Sequence, residues 1–156
     1  MIADGDVECV VLAARGLPPA EGVYIEEDYV MNLLETVLDY MLQTKVVVKA
    51  LEYFKRNRWD EIRNLDDLEG VLDGFPNDQA GNTALALHLW GYKLWTRAEQ
   101  LRGLTRFFRT IAVTDQERLR RWAETSSFRT DFEGKMKGLG PAVYQWLVMR
   151  QGVDTV

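Results

Sequence analysis

Two glycines and two lysines near the C-terminal end of this 156-residue chain have the types and spacing of a phosphate-binding turn. They lie in the segment Gly134-Lys135-Met136-Lys137-Gly138-Leu139-Gly140-Pro141-Ala142. Glycine permits positive φ angles and a close approach to another surface, which we expect at Gly138 and Gly140. Pro141 suits the first turn of a helix, because its missing N–H has no partner to lose there. The pattern predicts a hairpin of two helices joined by this tight turn.

The second helix of the hairpin would point its free backbone N–H groups at the turn. Such N–H groups, together with the positive end of the helix dipole, favour an anion such as phosphate. Lys135 and Lys137 flank the turn and add positive charge. The same segment is also compatible with a plain connection between two helices, and the sequence leaves both interpretations open.

Length and composition are those of one globular domain with an ordinary core. The chain is 47% hydrophobic and 28% charged, and no apolar run is long enough to span a bilayer. The acidic N-terminus lacks the basic-then-apolar layout of a signal peptide, so we expect a cytoplasmic or nucleoid-associated protein with no membrane partner. We also expect a monomer. Cys9 is the one cysteine and His88 the one histidine. Disulfides, cysteine-rich zinc sites and iron–sulfur clusters are therefore excluded within the chain.

Charge is distributed unevenly along the chain, although the net charge is −5. Residues 1–90 contain 7 basic and 17 acidic side chains, whereas residues 91–156 contain 12 basic and 7 acidic side chains. Arg102, Arg106 and Arg109 gather on one strip of a predicted helix in the basic half. The asymmetry predicts a basic face carried by the C-terminal half. Two ordinarily solvated surfaces are the alternative.

Hydrophobic periodicity predicts helices along most of the chain and no convincing strand. The predicted helices cover residues 26–43, 45–58, 60–72 (as one helix or two), 92–109, 115–123, 128–136 and 142–150. Residues 79–90 are weakly patterned and are predicted to form a loop with a helical end. We therefore expect an all-α fold, a multi-helix orthogonal bundle with a helix-hairpin-helix motif near the C-terminus. Its domain would span residues 26–156, preceded by an irregular N-terminal segment, residues 1–25.

Three segments occur in an order that resembles a known family. Leu42-Gln43-Thr44 resembles the family's Gln-Thr break after its first core helix. Trp90-Gly91-Tyr92-Lys93, followed by Arg97-Ala98, resembles its Gly-Phe/Tyr-x-x-Lys-Ala helix. Met136-Lys137-Gly138-Leu139-Gly140-Pro141 resembles its Leu-Pro-Gly-Val-Gly hairpin. From about residue 28 onward the chain thus resembles the helix-hairpin-helix superfamily of DNA base-excision glycosylases, which includes endonuclease III.

The resemblance implies that the hairpin binds double-stranded DNA. Backbone N–H groups of Gly140 and Ala142 would hold a phosphate, and Gln43 would enter the space around a displaced base. The implied DNA-binding residues are Gln43, Lys135, Lys137, Gly138, Leu139, Gly140 and Ala142. The resemblance also implies a monovalent cation, held by backbone carbonyls of Gly134, Met136 and Leu139. No other cofactor is expected.

The catalytic residues of the family match less well. Bifunctional members carry a Schiff-base lysine where this chain has Ala142, so strand cleavage by that route is not expected. Monofunctional members keep an aspartate, and Asp154 resembles it superficially. Asp154 lies only 12 residues after Ala142, whereas the family's spacing is longer and would place the true counterpart beyond Val156. The chain therefore resembles a glycosylase lacking its C-terminal part.

Two functions remain open on the sequence. The first is a DNA-binding protein similar to a base-excision glycosylase, either inactive or acting as a monofunctional N-glycosylase, a hydrolase that flips a damaged base out of the duplex. The second is a non-enzymatic helical domain that binds a partner protein.

Other residues with chemical potential have structural interpretations. His88 lies in an apolar run and is expected to be a core or half-exposed histidine. Glu26, Glu27 and Asp28 read as an acidic helix start in preference to a metal site. The helical contexts of four tryptophans favour packing over stacking on bases, and these are Trp90, Trp95, Trp122 and Trp146.

Overall fold

The computed structural model describes residues 24–153, and every regular element in this range is a helix. The helices are α1 (Tyr29–Leu38), α2 (Thr44–Asn57), α3 (Leu65–Asp73), α4 (Gln79–Trp90), α5 (Trp95–Thr110), α6 (Gln116–Thr125), α7 (Phe128–Asp131) and α8 (Pro141–Met149). The predicted all-α fold is therefore confirmed. The predicted irregular segment, residues 1–25, lies outside the described residues except for its last two. No helix between residues 24 and 153 combines the length and the apolar character that a membrane span requires.

Helix α1 is the centre of the fold, and all ten of its residues are buried. It contacts α2, α3, α5 and α8, so it has no solvent-facing side. The helix is shorter than predicted at both ends. Asp28 precedes it as the N-cap, and its carboxylate accepts a hydrogen bond from the backbone N–H of Met31 at 2.9 Å. The acidic residues 26–28 thus stand before the first turn and not within it, because the cap position binds N–H groups that the first turn leaves free.

Helix α4 occupies residues for which the sequence predicts mainly a loop. It packs between α2 and α5, and its buried residues lie on one half of the helix. That half includes the small Gly81 and the polar Asn82, whereas the apolar residues Ala80, Ala84 and Leu87 are exposed on the other half. Asp78 caps it by accepting from the N–H of Gly81 at 2.7 Å. Gly81 is required by space, because a Cβ there would overlap the carbonyl of Pro76. The weak pattern therefore reflects apolar residues on the exposed half of the helix and small or polar residues on its buried half.

An aromatic cluster holds the C-terminal helices together. Six rings from α5, α6, the α7 region and α8 contact one another at centroid distances of 5.2–6.3 Å. These rings belong to Phe107, Phe108, Trp122, Phe128, Phe132 and Tyr144. The tilted and edge-to-face arrangements are those that aromatic pairs prefer. The cluster fixes where the chain leaves α7 and where α8 begins.

A buried polar network joins α1 to the end of α8. The amide of Asn32 donates to Gln116 Oε1 at 2.9 Å and accepts from Gln151 Nε2 at 2.7 Å. Gln116 in turn donates to Gln151 Oε1 at 2.7 Å. The three amides thus satisfy one another where water is excluded, which fixes the relative positions of α1, α6 and the chain after α8.

Candidate nucleic-acid interface

The first helix of the hairpin is shorter than predicted. Helix α7 ends at Asp131, whereas the sequence predicts a helix over residues 128–136. Phe132 is fully buried in the aromatic cluster, with φ −131° and ψ −37° that end the helix, and Gly134 has a positive φ of 73°. Burial of the Phe132 ring and the left-handed Gly134 turn the chain away from the helix axis. Residues 132–140 form the connection to α8, and we call them the hairpin turn.

The two glycines of the central Gly-x-Gly have different conformations. Gly138 has φ 82°, as the sequence predicts, and a Cβ on it would clash with Nε2 of Gln100 in α5. Gly140 instead has φ −106° and ψ −163°, so the expected positive φ at this position is wrong. The reason is that Gly140 is the N-cap of α8, and N-caps take extended backbone angles. No atom lies within 4 Å of a Cβ built on Gly140, so this glycine faces open space.

Free backbone donors lie at the start of α8. Pro141 occupies its first turn, as the sequence predicts. Within residues 24–153, the N–H groups of Gly140 and Ala142 have no hydrogen-bond acceptor, and Gly140 makes no side-chain cap. Ala142 is exposed, while Leu139 is 95% buried and anchors the turn to the core. The geometry leaves these donors available to an anion.

The charged residues around the hairpin turn carry a small positive excess. Residues 128–142 contain three basic residues (Arg129, Lys135 and Lys137) and two acidic ones (Asp131 and Glu133), a balance of +1. Lys135 and Lys137 are exposed, and neither forms an ion pair in the described part of the chain. The Asp131 carboxylate accepts from the backbone N–H of Ser127 at 2.8 Å. The lysines are thus free to meet an external anion.

Seven consecutive carbonyls in the hairpin turn, those of residues 133–139, accept no hydrogen bond within the described part of the chain. The backbone oxygens of Gly134, Met136 and Leu139 are among them. Uncommitted carbonyl oxygens can bind a hard cation, but a run of seven does not single out these three as ligands of the monovalent cation that the resemblance implies. The positions stay a prediction.

Gln43 lies in the connection between α1 and α2, away from the hairpin turn in sequence. It is exposed and forms the N-cap of α2 through its backbone, without a side-chain hydrogen bond. Thr44, which precedes the predicted helix of residues 45–58, is the first helical residue. Met41 in the same connection has φ 61° and is 80% exposed. Asp154, the candidate catalytic residue, lies outside the described residues.

Two of the three arginines in the α5 strip, Arg102 and Arg109, serve the fold, whereas the exposed Arg106 forms no ion pair or side-chain hydrogen bond among the described residues. Arg102 donates to Asn82 Oδ1 at 2.7 Å and to the carbonyls of Leu72 at 2.9 Å and Phe75 at 2.8 Å. Arg109 pairs with Asp66 and with Glu69. Both guanidinium groups therefore join α5 to neighbouring elements and are not free to bind a polyanion.

The remaining arginines of the basic half are also largely engaged. On α6, Arg118, Arg120 and Arg121 each pair with an acidic residue of the same helix or its cap. Arg97 donates to the carbonyl of Val37 at 3.0 Å. The count of basic residues in the sequence thus overstates the free positive charge of this half.

A buried ion pair between α1 and the end of α8 was not anticipated from the sequence. Arg150 Nε lies 3.4 Å from Glu35 Oε1, and Arg150 Nη2 donates to Thr36 Oγ1 at 2.7 Å. Burial, which outweighs the attraction of Arg150, raises the pKa of Glu35 to about 8. Tyr24, 58% exposed, has its hydroxyl 3.0 Å from Glu35 Oε2. The signal in the sequence is slight, since Glu35 lies on the apolar side of a predicted core helix.

The histidine and the tryptophans have structural surroundings. His88 is half-buried with its ring 5.5 Å from that of Phe75, and burial lowers its pKa. Trp90 is fully buried and Trp122 belongs to the aromatic cluster, as expected from their helical contexts. Trp146 on α8 is 38% exposed.

Comparison with protein-family models, with curated proteins and with solved structures gives no match for this chain. The function is therefore argued from the geometry of the hairpin turn and its charges.

Proposed function

We propose that this chain binds double-stranded DNA by holding a backbone phosphate at the start of α8, as a helix-hairpin-helix protein similar to base-excision glycosylases. The observation that carries the proposal is the pair of unbonded N–H groups on Gly140 and Ala142, next to open space over Gly140. Lys135 and Lys137 add unpaired positive charge at the same turn.

The chemistry of the turn suits a phosphate group of a large partner. Backbone N–H groups at a helix N-terminus donate to phosphate oxygens while the helix dipole favours the negative charge. Because these donors are backbone groups, their contacts carry no sequence information. The proposed binding is therefore to duplex DNA of any sequence.

Catalysis in this proposal depends on the residues at positions 142 and 154. Ala142 has no amine, so a covalent attack on the sugar from this position is not proposed. Hydrolysis of a glycosidic bond would need a carboxylate to stabilise the sugar cation or activate water, and Asp154 is the candidate. Release of free base from a lesion-containing duplex, lost in Asp154→Asn, would support this role, and release unaffected by the substitution would exclude it.

The binding proposal is tested with Gly140→Val, which adds a side chain where the phosphate would lie. The open space over Gly140 and its extended backbone predict that the variant folds normally. Gly70→Val is the matched control, because Gly70 on α3 also faces open space. We expect Gly140→Val to weaken duplex binding about tenfold or more while Gly70→Val does not. Equal binding by a folded Gly140→Val would contradict the proposal.

Salt dependence provides a second test of the same interface. The affinity of the wild type for a short duplex is expected to fall steeply as salt rises, because phosphate contacts release counterions. Lys135→Gln combined with Lys137→Gln should reduce the slope of log affinity against log salt by about 2, roughly 0.9 for each lost contact. An unchanged slope would show that the lysines do not contact phosphate.

A protein-binding domain is the second candidate, and one groove favours it. The groove has a volume of about 290 Å³ and lies beside the hairpin turn, with apolar walls from Phe107, Ile111 and Trp122. Ile111 is 40% exposed. Absence of salt-dependent duplex binding by the wild type would favour this candidate over the first.

A further inference from the structure

Helix α2 carries a row of exposed cations that the fold does not use. Lys45, Lys49, Lys55 and Arg56 are exposed, and none of them forms an ion pair or a hydrogen bond through its side chain within residues 24–153. The three exposed arginines of α6 are by contrast all paired with carboxylates. Unpaired positive charge therefore also occurs on a helix of the half that the sequence marks as acidic.

The geometry of α2 gathers three of these cations into one stripe. At about 100° per residue, Lys45, Lys49 and Arg56 fall within a sector of about 40°. Val47, Ala50 and Phe54, the buried residues of the helix, occupy the opposite side. From residue 45 to residue 56 the stripe extends about 16 Å along the axis, at about 1.5 Å per residue. We call Lys45, Lys49 and Arg56 the α2 stripe.

One acidic residue lies within the stripe. Glu52 is exposed and stands three residues after Lys49 and four before Arg56. It pairs with neither residue within 4 Å in the part of the chain that the structure describes. Its charge nevertheless lowers the positive potential of this face. Removing that charge by substitution should therefore strengthen the binding of a polyanion.

We propose that the α2 stripe is a second phosphate-contacting surface, which lies along one strand of a DNA duplex. A linear array of about 16 Å matches the rise of roughly five nucleotides of one strand, at about 3.4 Å each. The inference rests on the proposed function for the identity of the polyanion. The stripe itself is observed independently of the hairpin turn.

An acidic membrane surface fits the stripe less well. Helices that lie in a membrane interface place large apolar residues such as Trp, Phe and Leu on the face that enters the lipid. The exposed side of α2 offers Val48, which is 46% exposed, and the larger apolar residue Phe54 faces the core. The charge is therefore better suited to a polar, regularly spaced partner.

The test compares two triple variants that remove the same charge. Lys45→Gln, Lys49→Gln and Arg56→Gln together remove the α2 stripe, and the matched control neutralises Arg118, Arg120 and Arg121 on α6. Binding to a short duplex is measured across a salt series for each. We expect the α2 variant to weaken binding at least about tenfold at low salt and to reduce the salt slope by about 2 to 3. The α6 variant should change both much less, because its arginines are already paired.

Glu52→Gln is the complementary variant. It should raise the affinity of the protein for the duplex several-fold, because it removes the negative charge from the stripe. A gain in affinity cannot come from loss of folding. If Glu52→Gln and the α2 triple variant both bind the duplex with the affinity of the wild type, the inference is overturned.

The remaining outcomes separate this inference from the proposed function. If Gly140→Val loses duplex binding and the α2 triple variant does not, the inference of a second surface is overturned and the proposed function stands. Equal loss in the α2 and α6 variants would also overturn it, because net charge alone would then explain the effect. Absence of duplex binding by the wild type would overturn both proposals. Binding to vesicles containing anionic lipid that depends on the stripe, without duplex binding, would assign the surface to a membrane instead.

Discussion

Arg150 and Glu35 face each other inside the protein, with Arg150 Nε 3.4 Å from Glu35 Oε1 and only 4% and 6% of the two side chains exposed. Arg150 also bonds Thr36 and lies 3.8 Å from Asp39. The hydrogen bonds of this buried guanidinium come from Nη2, which donates to Thr36 Oγ1 and to the carbonyl of Asn32, whereas Nε and Nη1 have no hydrogen-bond partner among the described residues. The end of α8 is thereby held against the middle of α1.

Arg150→Met is expected to destabilise the protein by about 1–3 kcal/mol, because it removes the buried hydrogen bond from Arg150 Nη2 to Thr36 Oγ1. Urea-induced unfolding measures the change. Arg121→Met is the control, since its pair with Glu117 is more than 60% exposed at both side chains and should contribute less than about 1 kcal/mol. Similar losses in the two variants would contradict a structural role for the buried arginine.

The stability of the protein should fall between about pH 4.5 and pH 8. Glu35 has a pKa of about 8 in the folded state, raised from an ordinary 4.5. Below pH 4.5 it is protonated in both states, and its contribution is then fully present. Between the two values the folded state retains a proton that the unfolded state has lost, so stability declines by up to about 1.4 kcal/mol per pH unit.

Glu35→Gln checks this assignment, because glutamine has the shape of the protonated acid and does not titrate. The free energy of unfolding of the variant should depend less on pH over this interval than that of the wild type. An equal pH dependence in both proteins would assign the effect to another group.

Gly138→Ala should destabilise the protein by about 1–3 kcal/mol. A side chain at φ 82° is strained, and its Cβ would meet the amide of Gln100. Gly134→Ala is the control for the angle alone, since Gly134 has φ 73° and no neighbour within 4 Å of a Cβ, and we expect a loss near 1 kcal/mol. Gln100→Ala in the Gly138→Ala background should recover part of the difference. No recovery would show that the contact does not matter.

Arg102→Lys should cost roughly 2–3 kcal/mol in unfolding free energy, although the charge is kept. The guanidinium of Arg102 donates to Asn82 and to the carbonyls of Leu72 and Phe75, and an ammonium cannot reach these acceptors together. Arg106→Lys on the same helix is the control, because Arg106 is exposed, and it should change stability by less than about 0.5 kcal/mol.

Local chemistry explains which parts of this fold could be predicted from the sequence. The sequence predicts Pro141 at the start of α8 and places the start of α6 within one residue of where it lies, because caps and prolines act through neighbouring backbone atoms. Helix α4 is not predicted as a full helix, since Ala84 and Leu87 on its exposed half and Asn82 on its buried half weaken the one-sided pattern that sequence analysis detects.

The hairpin turn also combines features that the sequence predicts with features that depend on the tertiary structure. The positive φ at Gly138 could be predicted, but the extended Gly140 could not, because its conformation follows from where α8 begins. Charge counts could not separate Arg102, which is engaged by the fold, from Lys49, which is not. That difference depends on which residues the tertiary structure brings within bonding distance.

The complete enclosure of α1 has a consequence for how the chain is made. Thr36 accepts a hydrogen bond from Arg150, which lies 114 positions later in the chain. At about 5–20 residues per second, Arg150 leaves the ribosome roughly 6 to 23 seconds after Thr36. During that interval helix α1 exists without the segment that covers it. Its apolar residues must then be shielded by nascent neighbours or by a chaperone, so the rate of translation sets how long this helix is open to aggregation.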